Sequence, residues 1–285
     1  MDLFVSLFVN KGGNSIFNRK RYIQLFSLFI YLVAITWLIL QVIKINSGLK
    51  FNGTIPLIDF WNIQLSGVDS SLIVDTLTMI LYTTFGSILF IYIKNNHTFY
   101  NIQQRIGYVK FLKISASITF LSAFLLSIFT KIYELLFIII LLRRFPSNIK
   151  LEKFLIQPPF NDNTLKSMII FTLLSAIGWG IFAVFIFSLG LFIRKTSIYF
   201  VLGATVGTSL IVIPGIFVPI LGIKSVPFFS LWFLPSLIAP GQLNFAVSNG
   251  QNINVYTLFF FSFFIYSTIS WILMRQWIIR KRRRG

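Results

Sequence analysis

The chain has 285 residues and 32.8 kDa, with 56% hydrophobic, 18% aromatic and only 11% charged residues. A soluble domain carries about 25% charged residues, so this composition cannot build a water-facing surface and excludes a soluble globular enzyme. The net charge of +18 and mean hydropathy of +0.83 fit basic residues flanking apolar spans, and the chain reads as an all-α polytopic membrane protein.

In chain order, residues 1–22 are predicted as an interfacial amphipathic segment, 23–279 as a single transmembrane domain and 280–285 as a basic cytoplasmic tail. The start does not read as a cleavable signal peptide, because the apolar run Leu3–Val9 precedes the basic cluster Arg19-Lys20-Arg21. A bilayer-spanning helix needs ~20 mostly apolar residues. Six such spans are predicted at 24–43, 72–93, 111–130 (with an apolar extension to 142), 168–192, 198–223 and 255–277. Six spans put both termini on one side. With that side inside, the inner segments hold 16 basic residues and one acid, the outer segments nine basic residues and six acids. The +15 and +3 that result agree with the positive-inside rule.

Between spans two and three, residues 94–113 read as a polar cytoplasmic loop. Phe99, Tyr100, Ile102, Ile106 and Tyr108, with Arg105 among them, predict a short amphipathic helix there. Lys131 and Glu134 lie three apart on a predicted helix and can pair across one turn. Inside the membrane such a pair is a functional hint, whereas at the outer interface it has little consequence. In the fifth span, Gly203 and Gly207 allow close helix approach, either within one bundle or at a dimer seam. Pro214 and Pro219 each remove a helix hydrogen bond and predict a break. The stretch from Ile223 to Asn254 is too apolar for an ordinary loop and is broken by Pro227, Pro235 and Pro240. It predicts one or two short helices dipping into the outer leaflet, a Pro-broken re-entrant hairpin between spans five and six.

Chemistry-bearing residues are scarce. There is no cysteine and one histidine, His97, so Cys-ligated metals and two-His sites are excluded. No GxSxG, DxD or Walker sequence occurs. The chain is expected to bind no metal or cofactor, to be no enzyme, and to have no nucleic-acid partner, since no basic stretch lies in a soluble domain.

The six spans, the amphipathic start, the helix-forming loop after span two, the Pro-broken hairpin and the basic tail together resemble the ABC-2 type permease subunits of bacterial ABC transporters. Leu234-Pro235-Ser236-Leu237-Ile238-Ala239-Pro240-Gly241-Gln242-Leu243, leading into the last span and Arg275–Arg284, look most like the peptide-antibiotic immunity and export members. The 36 residues of the connection 131–166 are longer than that pattern. The resemblance implies a multi-pass permease of the bacterial cytoplasmic membrane, exporting an amphipathic peptide, lipid or drug. It implies a second permease copy or sister permease and a separate cytoplasmic ATPase that holds ATP-Mg. Phe99–Tyr108 would be the coupling helix, residues 1–22 a second contact and the prolines gating breaks. The rival readings are a non-transporting membrane scaffold or accessory subunit and, with less to support it, an intramembrane enzyme.

Overall fold

Backbone N–H and C=O groups find no water inside a bilayer, so a chain this apolar pairs them within helices. The computed structural model describes residues 14–47, 71–96, 98–142, 160, 164–241 and 254–283. Among them are nine α-helices and no strand. They are α1 (Asn14–Ser47), α2 (Ser71–Thr84), α3 (Ile88–Asn95), α4 (Thr98–Leu142), α5 (Thr164–Gly190), α6 (Thr196–Leu221), α7 (Val226–Trp232), α8 (Leu234–Ile238) and α9 (Val255–Arg282). Five are long and apolar enough to cross a membrane, and the number rises to six if the bent pair α2–α3 counts as one span.

Helix α5 is the centre of the bundle. Of its apolar window Lys166–Gly190, 56% is buried, against 22–28% for the windows of α1, α4, α6 and α9. It packs against α4, α9, α8, α2 and α6. Phe171, Phe182, Ile186 and Phe187 are fully enclosed there. The outer faces of the other helices expose Phe26, Phe29, Ile140, Ile220 and Phe264, the surface that hydrocarbon would cover.

Four boundaries differ from the sequence expectation. Helix α1 starts at Asn14, so residues 14–22 belong to the first long helix; residues 1–13 of the expected interfacial segment lie outside the described residues. The second span is not one helix, because it bends by 57° between Thr84 and Ile88. The short amphipathic helix expected in the loop 94–113 starts at Thr98 but is not separate, because the helix runs into the third span and on to Leu142. Gly107 divides it, with φ 71° and ψ 163°, a backbone region open essentially to glycine alone. The connection 131–166 is therefore shorter than expected, because its first part continues the helix. Finally, α9 stays helical through Arg282, so the first half of the basic tail, Arg280 to Arg282, is the last turn of that helix.

The bend in the second span keeps its polar groups paired. Gln24 Nε2 donates to Phe85 O at 2.9 Å. Ser87 Oγ donates to Thr83 O at 2.5 Å and itself accepts from the Tyr199 hydroxyl. Side chains of α1 and α6 thus close a break that lipid could not.

Candidate functional site

Residues three apart share one helix face, and Lys131 and Glu134 do so on α4. Lys131 Nζ lies 3.1 Å from Glu134 Oε2 and 3.3 Å from Oε1. The side chains are 11% and 4% exposed. They are enclosed by the bundle rather than solvated. They line a cavity of about 30 Å³ with Tyr31 of α1, Asp75 and Thr78 of α2, and Ser175 and Trp179 of α5. Ile238 and Ala239, at the end of α8, close it. Tyr31 and Trp179 each fall near the middle of the apolar window of their helix, so the pair lies deep in the bundle. The cavity is of a size for one or two waters.

Hydroxyls cluster in this lining and beside it. The Tyr31 hydroxyl lies 3.0 Å from Thr78 Oγ1 and donates to the Tyr82 hydroxyl at 3.2 Å. The Tyr82 ring meets Trp179 edge-on at 4.7 Å. One residue from Glu134, the Tyr133 hydroxyl is 2.6 Å from Thr36 Oγ1 of α1. Asp75 and Glu134 are the acidic side chains among the described residues, and both face this cavity. Separating a buried ion pair from water costs several kcal/mol per ion, and charges held at this depth mark functional sites by default.

The end of the short helix α8 closes the cavity, and the short helix α7 before it packs on α9 and α6. Pro227 and Pro235 stand in the first turns of α7 and α8, where no backbone N–H partner is needed. Leu234 to Ile238 are all buried. A Cβ on Gly178 of α5 would fall 2.0 Å from Leu237 O, so glycine is what lets α8 lie on α5 there. Three carbonyls at the ends of these short helices are capped from neighbouring spans. Ser175 Oγ donates to Ile238 O at 2.5 Å, Ser262 Oγ to Leu231 O at 2.9 Å and the Tyr266 hydroxyl to Trp232 O at 2.7 Å. Orphan carbonyls buried without such partners would not be tolerated.

The other expected site residues fall elsewhere. Phe99, Tyr100 and Ile102 are on the first turns of α4, with side chains outside the described set. Arg105 is exposed, Ile106 packs on the core, and the Tyr108 ring meets Trp277 edge-on at 5.7 Å. Gly203 and Gly207 pack inside the chain: Cβ atoms there would fall 2.1 Å from Thr83 Oγ1 and 2.6 Å from Met79 Sδ, both of α2. Pro214 and Pro219 do not break α6, which continues through both to Leu221. A proline removes one hydrogen bond, but any non-helical alternative in an apolar surrounding would leave more groups unpaired. Pro235, in the first turn of α8, and Pro240, two residues past its end, are buried. Tyr31, Thr78, Tyr82 and Ser175 were not legible as site residues, since a lone hydroxyl in an apolar helix carries no signal of its facing. Among the described residues no three His, Cys, Asp or Glu side chains stand together.

No protein-family model matches the chain, and no curated protein or solved structure matches it.

Proposed function

We propose that this chain is the membrane-spanning permease subunit of an ATP-driven exporter in a bacterial cytoplasmic membrane. Its substrate is an amphipathic peptide, lipid or drug, and a separate ATPase supplies the free energy. One observation carries the reading: the Pro-started helix α8 lies against the middle of α5, beside the buried Lys131–Glu134 cavity, with the second Pro-started helix, α7, leading into it. Relative to apolar packing and a continuous helix, a buried ion pair and a helix broken into fragments both cost stability, a cost that a chain used only for assembly has no reason to carry. In a permease these are the parts that differ between states, and ATP binding on the partner shifts the population between them.

Energy reaches the bundle through the helical segment before Gly107, which carries Phe99, Tyr100, Ile102, Arg105 and Ile106 and leads to Tyr108. A second permease copy or a sister permease completes the pathway. The test is affinity capture from mild detergent through a tag after Gly285, with mass spectrometry of the bound proteins. A stoichiometric ATPase with Walker motifs is expected, and Tyr100→Asp with Ile106→Asp loses it. A stoichiometric partner of another kind, without an ATPase, would replace this reading with that of an accessory subunit.

A further inference from the structure

At the other end of α5 four chain segments meet. Lys94, on the last turn of α3, points its ammonium at the C-terminus of α5 and donates to Gly190 O, Leu191 O and Ile193 O at 2.9, 3.0 and 2.6 Å. A helix C-terminus offers orphan carbonyls and the negative end of its dipole, which favour a cation. With Lys94 engaged there, two further cations are stationed on rings. The Arg280 guanidinium lies 5.2 Å from the centre of the Phe192 ring, and Lys281 Nζ lies 5.8 Å from that of Trp277. Trp277 is held in turn by Tyr108. Arg282 and Arg283 continue past them, exposed. The two described acids are in the ion-pair cavity, near the middle of α5.

We propose that this corner binds the phosphate headgroup of an anionic phospholipid in the adjoining leaflet. Charge complementarity gives the sign of the ligand. Arg280 gives the geometry, because a planar guanidinium held against a ring presents a fork that fits two phosphate oxygens. The flank gives the lipid: Ile279, next to Arg280 on α9, is 42% exposed, and Ile272, two turns further along the helix, is 40% exposed, an acyl-chain surface that a free phosphate would not use. The site is independent of the permease reading.

Native mass spectrometry of the full chain in mild detergent tests it, with phosphatidylglycerol, phosphatidylcholine or inorganic phosphate added. The wild type is expected to retain phosphatidylglycerol roughly tenfold over phosphatidylcholine and to retain no phosphate. Arg280→Gln with Arg282→Gln lowers that retention by roughly tenfold or more, from about fivefold per cation near a lipid surface. Lys110→Gln with Lys113→Gln removes the same charge from exposed positions on α4 and changes retention by about twofold at most. Equal loss in the two pairs would reduce the effect to general charge attraction and overturn the site. Equal retention of the two lipids, or phosphate held as well as lipid, overturns it too. Arg282→Gln with Arg283→Gln repeats the comparison if the first pair fails to insert.

Discussion

The Tyr199 hydroxyl of α6 donates to Ser87 Oγ at 2.5 Å, inside the bend of the second span. Tyr199 is fully buried, and its hydroxyl also stands 3.3 Å from Thr83 O, a carbonyl just before the bend. One side chain thus joins two helices at the point where the backbone ladder of one is interrupted. Tyr199→Phe removes this bond while keeping the ring, and the expected loss is about 0.5–1.5 kcal/mol. Ser87→Ala in that background adds less than it does alone, because the two atoms share one interaction. Thermal unfolding in detergent of the two single variants and the double variant reads the coupling. Additive losses would separate Tyr199 from the bend.

Lys131 and Glu134 allow a second comparison. Removing one partner of a buried ion pair leaves an unpaired charge and costs about 3–5 kcal/mol, whereas an apolar replacement of both is often neutral. Glu134→Leu is therefore expected to destabilise more than Lys131→Met with Glu134→Leu. The same detergent melts decide it. If the permease reading holds, the double variant folds but does not transport, which separates the pair's cost to the fold from its use. A double variant less stable than either single one would mean that the pair is a net stabiliser.

The packing of α8 on α5 can be read chemically, because the chain contains no cysteine. Ser236 of α8 is 6% exposed, so Ser236→Cys is expected to resist a water-soluble maleimide. Gly178→Val places side-chain atoms where Leu237 O now lies. In that background α8 has to leave α5, and the cysteine becomes reactive by roughly tenfold or more, the loss of about 1.4 kcal/mol of docking per factor of ten. An unchanged rate would show that α8 is not held by that contact.

Much of this architecture is legible from hydropathy, because the length of an apolar run is a one-dimensional property. The spans on α1, α5, α6 and α9 fall where runs such as Met168–Phe192 predict them. The bend was less visible, though Thr83-Thr84-Phe85-Gly86-Ser87 gathers five residues of low helix propensity. Tertiary partners decide whether such a run bends, and Tyr199 is 112 residues away from Ser87. The spacing of Lys131 and Glu134 gave their pairing, but their burial depends on partners from α1, α2, α5 and α8, which no local pattern reveals. The proline positions misled in the opposite sense. Pro214 and Pro219 lie within a continuous α6, and the chain turns only after Gly222, at φ 78°. Pro227 and Pro235, by contrast, start helices, the one helical position where proline costs nothing.

Gly107 makes the last prediction. Its φ of 71° with ψ of 163° lies outside what an L side chain adopts without strain, although a Cβ there would meet no atom within 4 Å. Space is thus not the constraint, and backbone conformation is. Gly107→Ala is expected to cost about 1–3 kcal/mol if the bend is kept. The alternative is that α4 straightens through residue 107 and the segment Thr98–Ile106 swings away from its present direction, carrying Arg105 and Ile106 with it. Distances between spin labels at Arg105→Cys and Lys281→Cys distinguish the two: a retained distance with a lowered melting temperature means stored strain, and a longer distance means straightening. In the permease reading only the second abolishes capture of the ATPase, so the pair of measurements ties the direction of this short helix to partner binding. A variant with unchanged stability, distance and capture would remove any role for the glycine's backbone freedom.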